Sequence, residues 1–176
     1  MSGKLRKSLG SRDTLCVLDF TQALSEVDKH TAVRWALLEA ASLVLPIYKR
    51  ACPSDERLEA TLQAAHDWLD GKVKLPFVKN LILNAAHQAA REAKGRPAAQ
   101  AAARACAQAA SGIHAKGHVL GIIHYGAAAL AYEALGLEAL KEEYTRFFEE
   151  FCVQMRQSLQ AYAANVKGRE DEQQEF

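Results

Sequence analysis

The sequence has almost no excess charge: Lys and Arg number 22 and Asp and Glu number 21, which leaves a net charge of +1. A chain without a strong net field has no long-range attraction for polyanions, and this disfavours nucleic acid as a partner. Aromatic residues are scarce at 7%, although 49% of the residues are hydrophobic, because much of the apolar content is alanine. Alanine is the best helix former and supplies little buried area, so we expect many closely packed helices.

Sequence signals for disulfides, cofactors and membranes are also missing. The four cysteines form no CxxC pair, and a chain of 176 residues needs no disulfide, so we interpret them as reduced, mostly buried thiols. No glycine cluster reads as GxGxxG or GxxxxGK[ST], and we predict no cofactor. No apolar export segment follows the basic start, and the most apolar stretch, residues 119–135, is interrupted by polar side chains. We therefore expect a cytoplasmic protein without a membrane partner.

Helix signals repeat along the chain, whereas strand-like alternation is almost absent. The residues that indicate helix starts are Asp28, Ser54, Asp55, Pro76 and Pro97. Those that indicate a stop or a kink are Pro46, Gly71 and Gly95. In the final helix, apolar residues recur every three or four positions from Leu140 to Val166.

These signals predict an all-α protein, a compact single-domain bundle of about six or seven helices over residues 13–166. The first 12 residues lack an apolar pattern, and we expect residues 1–12 to form a flexible basic arm. Residues 167–176 have little to bury, and we expect them to form a polar, acidic tail.

Two adjoining stretches rich in alanine and glycine indicate the centre of this bundle. Residues 98–111 are nearly all alanine, interrupted by Gln100, Arg104 and Gln108 at four-residue intervals that place them on one stripe of a helix. The glycines that follow, up to residue 136, would each cost about 1 kcal/mol relative to alanine inside a helix. We attribute them to close helix packing and predict a central Ala/Gly-rich helix. The small residues that we expect at close contacts are Gly117, Gly121, Ala128 and Ala131.

His114 and His118 are four residues apart, which places them one helical turn apart on one face, a spacing that suits metal ligands. A zinc site needs a third or fourth ligand, and only His124 and Cys106 lie nearby. We therefore favour a structural role, in which the imidazoles hydrogen-bond to carbonyl groups or to Gln108, over a metal site at His114 and His118.

Arg91 and Arg104 lie in alanine-rich helices, where we expect them to form ion pairs with neighbouring helices rather than to grip an anionic ligand. Trp35 and Trp68 are in register with the apolar faces of their helices, so we expect both to pack in the core. No arrangement of serine, histidine and aspartate suggests an activated nucleophile, and we predict that the protein is not an enzyme.

The alanine-rich centre resembles the signature half of a known family. The matching features are residues 101–108 (AAARACAQ), His114, His118, Leu120-Gly121 and Tyr125. Upstream, residues 30–35, Leu45-Pro46, residues 68–71 and residues 85–91 look like earlier helices of the same family, so the resemblance covers about residues 28–136. The family is the immunity-five-like family, small helical proteins associated with bacterial polymorphic toxin systems. This chain has Cys106-Ala107-Gln108 where Ala-Gly-Gln is expected and Ser111-Gly112-Ile113 where Ala-Thr-Ala is expected.

The resemblance implies a cytoplasmic bacterial immunity protein that binds and neutralises a cognate protein toxin by stoichiometric occlusion. An interface of standard size, about 1,600 Å² in total, needs only exposed helix faces. The alternative is a helical protein that binds a small ligand or a metal ion through a polar seam. This seam comprises Arg91, Arg104, Gln108, His114, His118 and Tyr125. A third hypothesis is a homo-oligomer that pairs through Phe147, Phe148 and Phe151 of the final helix.

Overall fold

The computed structural model describes residues 5–174, apart from the side chains of Glu170, Gln173 and Gln174. The α-helical segments are α1 (Leu15–Ser25), α2 (Lys29–Glu39), α3 (Leu45–Ala51), α4 (Arg57–Leu69), α5 (Leu75–Leu81), α6 (His87–Glu92), α7 (Pro97–Ser111), α8 (Ala127–Ala134) and α9 (Lys141–Gln174). Three π-helical turns (Ala40–Val44, Ile82–Ala86 and Ile122–Gly126) and a 3-10 turn (Lys116–Val119) complete the secondary structure. The described residues contain no strand.

Two of the π turns join α-helical segments into continuous helices, α2 to α3 and α5 to α6, so the fold counts seven helices. This confirms the predicted all-α bundle of six or seven helices. The first π turn lies directly before Pro46, where a stop or a kink was predicted. Proline donates no backbone hydrogen bond, and its ring clashes with the preceding turn of an α-helix. The wider π turn relieves that conflict, and the helix runs on to Ala51.

Several helix ends lie where the sequence signals predicted them. Asp28 caps α2, because its carboxylate accepts the backbone N–H of Thr31 at 3.0 Å. Asp55, but not Ser54, acts before α4, where its carboxylate accepts the N–H of Arg57 at 3.1 Å. Gly71 and Gly95 follow the ends of α4 and α6, and both adopt positive φ angles. Local rules of capping and turn formation account for these boundaries.

The helix α7 forms the centre of the bundle and packs against α3, α4, α6 and α8. All its alanines except Ala98, together with Cys106, are buried. Because alanine has only a methyl group, neighbouring backbones can approach α7 closely on most of its circumference. The predicted Ala-rich central helix is therefore α7, whereas the glycine-rich stretch after it is divided between the 3-10 turn, the third π turn and α8.

The largest fully buried side chains include Trp35, Tyr48, Phe20 and Phe148. Trp35 packs in the core, as its position in the helix pattern predicted. The prediction for Trp68 needs correction, because this ring is only partly buried at the surface. It contacts His30 at 5.7 Å between ring centroids, and Lys29 Nζ lies 5.5 Å from its centre.

All four cysteines are free thiols, as expected, but only two of them are fully buried. Cys106 and Cys152 are buried, whereas Cys16 and Cys52 are partly exposed. Burial raises the pKa of Cys106 to about 12. That thiol is therefore protonated and unreactive at neutral pH.

The predicted flexible arm is corrected for residues 5–12, which pack on the bundle; residues 1–4 lie outside the described residues. Leu9 is buried, and its N–H donates to the carbonyl of His124 at 3.1 Å. His124 Nδ1–H donates in return to the carbonyl of Leu9 at 2.8 Å. The hydroxyl of Tyr132 donates to the carbonyl of Arg6. We call residues 5–12 the N-terminal strap.

Gly10 allows the strap to lie close to the bundle. It has a φ of +71°, and a Cβ at this position would overlap the ring of Phe148. Any larger residue would therefore be strained in its backbone and would collide with the core. The strap depends on contacts with residues more than a hundred positions away, and no local pattern in the sequence indicated them.

The helix α9 continues through much of the segment predicted as a tail. Residues 167–174 extend it to Gln174, with residues 167–169, 171 and 172 exposed, and residues 175–176 lie outside the described part of the chain. Its inner face packs on α1, α2 and α8. Trp35 Nε1–H donates to Ser158 Oγ at 3.0 Å, and Ser158 in turn donates to the carboxylate of Glu39.

The structure corrects the choice of Phe148 and Phe151 as residues for self-association through α9. Phe148 is 1% exposed and Phe151 is 6% exposed, so both side chains belong to the chain's own core. Phe147 is partly buried against the same core. The aromatic residues that were expected to pair with a second copy therefore pack mainly within the chain itself, and self-association through other residues of α9 stays a prediction.

One helical stretch, Lys29–Ala51, is long and apolar enough by length and composition to span a membrane, with a mean hydropathy of 1.2. It is not the stretch that the sequence analysis singled out as most apolar. More than half of its most apolar window, 56%, is buried within the chain. The core helix of a globular protein has the same character, because its apolar side chains face other helices.

Candidate functional site

Gln108 and His118 form the centre of the polar seam. His118 Nδ1–H donates to Gln108 Oε1 at 2.8 Å, linking α7 to the 3-10 turn. A carbonyl oxygen can only accept, so this bond places the proton of the neutral imidazole on Nδ1 and leaves Nε2 as an acceptor. Gln108 is the partner that sequence reasoning proposed for a structural imidazole at this position.

Gly121 makes the room that this hydrogen bond requires. A Cβ at this position would lie 2.5 Å from Gln108 Cγ and closer still to its Cβ. The predicted close contact at Gly121 therefore exists, and the group that approaches is the side chain of Gln108. Gly117 is different, because a Cβ there would meet nothing within 4 Å. The expectation of close packing at Gly117 is thus wrong.

His114 lies on the turn that follows α7, and its ring stands edge-on to His118 with 5.2 Å between centroids. Partial burial lowers the pKa of His114, and repulsion by His118 when that ring carries a second proton, by Lys79 and by Lys29 lowers it further. Each of these neighbours favours the neutral imidazole, because a second positive charge nearby is repelled.

His87 is a member of this group that sequence reasoning missed. Burial lowers the pKa of His87, and repulsion by Arg91 and by His118 when that ring carries a second proton lowers it further, which places both groups near His87. The helix α6 is held against α7 here, since Gln100 Nε2–H donates to the carbonyl of Ala90 at 2.8 Å. The one available signal was the short Gly95-to-Pro97 connection, which forces α6 and α7 to be neighbours.

The predicted ion pairs of Arg91 and Arg104 are absent from the described residues. Arg91 is exposed on α6, and Arg104 is half-buried on α7, one turn before Gln108. No carboxylate of a described residue contributes to the shifted pKa values of His87 and His114. The seam therefore collects positive charge without its own counter-charges.

A cleft of about 400 Å³ opens beside His118, between the strap and the segment that follows α7. Its polar lining comprises Ser8, Arg12, Gln108, His118, His124 and Tyr125, and Gly117 and Gly121 also line it. Within the described residues, the guanidinium of Arg12, the hydroxyl of Tyr125 and the amide N–H groups of Gln108 have no hydrogen-bond partner. The lining contains no carboxylate. The cleft thus contains hydrogen-bond donors that have no partner among the described residues, together with the positive charge of Arg12.

His124 connects this cleft to the core. Its ring stacks on Phe148 with 5.7 Å between centroids and an interplanar angle of 15°. Its Nδ1–H holds the strap through Leu9, whereas its Nε2 is buried without a hydrogen-bond partner. His124 therefore acts as the anchor of the wall that carries Ser8 and Arg12.

A larger cleft of about 780 Å³ lies on the other side of the strap, towards the start of α9. Its charged residues are balanced, with Arg6 and Lys141 against Glu138 and Glu149. None of the residues in the polar seam lines it. We therefore place the candidate site in the smaller cleft, where the unpaired donors converge.

The described residues bring no group of three His, Cys, Asp or Glu side chains together in a way that could hold a metal ion. His114 and His118 remain a pair, and no other described His, Cys, Asp or Glu side chain completes a set of three with them. The metal alternative thus has fewer ligands than the three or four that protein zinc sites use.

Comparison with curated proteins and with solved structures finds no match to this chain. A family model does match, over residues 22–166, which is most of the chain and extends beyond the resemblance seen in the sequence at both ends. The matched part includes Gln108, His118, Gly121 and Tyr125 of the cleft. By this match, the chain belongs to the family described as Imm-5 like putative immunity protein.

Proposed function

We propose that the protein neutralises a cognate bacterial toxin of a polymorphic toxin system by binding it stoichiometrically in the cytoplasm. Membership in an immunity-protein family supports this role. The observation that carries the proposal in the structure is the cleft, whose donors have no hydrogen-bond partner within the described residues. Because these donors are open to solvent and not engaged within the chain, they are available to acceptors on another molecule.

The same residues do not form an arrangement typical of catalysis. Among the described residues, the imidazoles hydrogen-bond only to Gln108 and to the carbonyl of Leu9, and none accepts from a serine, threonine or cysteine. An activated nucleophile requires such a contact with a base. Occlusion of the toxin needs binding alone, and about 800 Å² on each partner is enough for a specific complex. The chain exposes 9734 Å² in total.

Co-expression tests this function directly. Each toxin-domain protein encoded beside the gene is expressed in bacteria with and without this chain. We expect one of them to stop growth alone and to be tolerated with the chain present. An inactivated form of that toxin should elute with the chain as a 1:1 complex, with its mass measured by light scattering. Growth arrest that the chain does not relieve, with no complex formed by any of these toxins, would overturn the proposal.

A second candidate function is the binding of a small anionic ligand, which the cleft volume favours. About 400 Å³ lies within the range of about 300–1,000 Å³ that small-molecule sites occupy. Thermal melting of the purified chain with inorganic phosphate and with small carboxylates checks this, because a ligand of the folded state raises the melting temperature. For the metal version at His114 and His118, metal analysis of untagged protein is the matching measurement.

A further inference from the structure

We infer that the cleft of Arg12, Gln108, His118 and Tyr125 receives an acidic side chain of the toxin, and that the N-terminal strap determines which toxin fits. This inference rests on the proposed function and adds the chemistry of the partner surface. It also assigns a role to a segment that lies outside the family match of residues 22–166.

The donor set of the cleft suits a carboxylate. Arg12 offers a planar guanidinium with several N–H groups, Tyr125 a hydroxyl and Gln108 an amide N–H. A carboxylate accepts about four hydrogen bonds through its two oxygens and pairs well with a guanidinium. No acidic side chain of the chain's own lines the cleft, so nothing in the lining competes for these donors.

The surroundings extend the positive field beyond the cleft. The ring of His114 stands edge-on to His118, and the cations that lower the pKa of His114 or of His87 are Lys79, Lys29 and Arg91. The chain as a whole carries a net charge of only +1, so this concentration is local and not a consequence of composition. A local field of this kind attracts an acidic surface and accelerates its association.

The strap is held before any partner arrives. Two hydrogen bonds join Leu9 and His124, and Gly10 packs on Phe148. Arg12, which follows directly, therefore needs less ordering on binding than a residue on a free arm would. This contrasts with a disordered arm, which pays the full cost of ordering when it binds.

The two walls of the cleft differ in their relation to the family. Gln108, His118 and Tyr125 lie inside the matched segment, whereas Ser8 and Arg12 lie outside it. One wall thus lies in the segment that the family model describes and the other lies outside it. Specificity is a difference between affinities, and a charged group on the wall outside the matched segment can raise the affinity for one partner and repel others.

Charge reversal at Arg12 tests the inference with the toxin identified by co-expression, in an inactivated form. Arg12 is exposed and unpaired within the described residues, so R12E should leave the melting temperature unchanged. We expect R12E to weaken toxin binding by about thirtyfold or more, because opposite charges across an interface become like charges. R146E is the matched control on an exposed part of α9 that lines neither cleft, and it should change the affinity less than about threefold.

Two further arms identify the partner group. Y125F removes only a hydroxyl, and we expect a loss of about threefold to tenfold in affinity. Reversal of the toxin's acidic residues, one at a time to lysine, should reveal one position at which the variant binds R12E better than it binds the unaltered chain. The affinity should also fall as the salt concentration rises, since charged contacts are screened.

A toxin that binds R12E and the unaltered chain equally well would overturn the inference and leave the proposed function standing. If no toxin binds, the proposed function fails, and a labelled hexaglutamate peptide still tests the cleft. We expect this peptide to bind at low salt and to lose affinity with R12E but not with R146E. If the peptide bound R12E and R146E equally well, the inference would be overturned. The inference would also be overturned if inorganic phosphate at a saturating concentration did not weaken the binding of the toxin.

Discussion

The ion-pair cluster between α3, α4 and α6 and the polar seam beside α7 use similar side chains in opposite ways. In the cluster, Arg57 donates to Asp55 at 2.7 Å and to Glu92 at 2.5 Å, and the hydroxyl of Tyr48 donates to Asp55 at 2.5 Å. Every charge there has a partner. In the seam, Arg91 and Arg104 have no counter-charge among the described residues.

The pKa values reflect the same contrast. The guanidinium of Arg57 holds the pKa of Asp55 well below its usual range, and burial followed by the contact with Asp55 raises the pKa of Tyr48. In the seam, burial and like charges lower the pKa values of His87 and His114. A cluster in which every charged group has a partner stabilises the fold. A cluster whose charged groups lack partners in the chain can form these interactions with another molecule. Substitutions should therefore separate stability from binding.

The largest expected loss of stability comes from Asp55→Ala. This change removes the acceptor of Tyr48 and one of the two acceptors of Arg57, side chains that are partly withdrawn from water. Hydrogen bonds to charged groups contribute about 1.5–3 kcal/mol, and we expect a loss of that size in the free energy of unfolding. Urea denaturation measures it. The affinity for the toxin should stay unchanged, and a loss of binding equal to that of R12E would break the comparison.

Asp70→Ala is the matched control for Asp55→Ala. Asp70 also pairs with an arginine, Arg34, at 2.5 Å, but this pair lies at the surface. Exposed ion pairs contribute little, because water and salt screen them. We therefore expect a clearly smaller change in the denaturation midpoint than for Asp55→Ala. An equal change would show that burial is not what distinguishes the two carboxylates.

The second effect in size is that of Gly121→Leu, which should affect stability and binding together. The added side chain collides with Gln108, and overpacking of this kind costs about 1–3 kcal/mol. It also displaces Gln108 from His118, so toxin affinity should fall. Gly117→Ala in the same segment meets no atom within 4 Å and should leave the melting temperature unchanged, which makes it a control for stability alone, because Gly117 lines the cleft too. Thermal melting and titration with the toxin check both variants.

The sequence predicted the helix ends better than the contacts of the candidate site, and this difference has a physical cause. Asp28, Gly71, Gly95 and Pro97 act through neighbours within a few residues, and the helix ends follow from local rules. The glycine at position 121 signalled a close contact, but its partner Gln108 depends on how the 3-10 turn folds back onto α7. Patterns of spacing carry no information on such a crossing.

The strap and His87 illustrate the same limit. Leu9 has no periodic apolar neighbours, and its burial depends on His124 and Phe148, which follow more than a hundred residues later. His87 comes near His118 because α6 packs beside α7 and the 3-10 turn that carries His118 is bonded to α7, and their positions in the sequence do not indicate this. For these residues of the candidate site, the sequence shows the residue type but not the residues that surround it in the fold.

A third and smaller effect is expected for Gln108→Leu. The substitution removes the acceptor of His118 Nδ1–H and keeps a side chain of similar volume, so we expect a loss of about 0.5–1.5 kcal/mol. Nitrogen chemical shifts of the His118 ring report the tautomer. They should show the proton mainly on Nδ1 in the unaltered chain and a mixture of tautomers in the variant. A mixture in both would mean that Gln108 does not fix the ring.

The smallest expected effect is that of pH. Lowering the pH should decrease the stability of the free chain and increase its affinity for the toxin. The pKa values of His87 and His114 are lowered in the folded chain, by burial first and then by Arg91, His118, Lys79 and Lys29. The pKa of His66 on α4 is also lowered, by burial and by the charge of Arg34, although the charges of Asp70 and Asp67 act to raise it. All three imidazoles bind protons less readily folded than unfolded.

The stability that follows from these shifts is fully present above about pH 6.5, the ordinary pKa of histidine, and is lost as the pH falls towards the lower values of the folded chain. Carboxylates with a lowered pKa, such as Asp55 and Asp70, change the pH dependence of stability only below about pH 4. Between pH 7.5 and 5.5, denaturation should therefore show a decline that His87→Gln and His114→Gln reduce. An acidic toxin surface favours the protonated imidazoles, so its affinity should rise over the same interval. If stability and affinity both fell, the seam would not be facing an acidic partner.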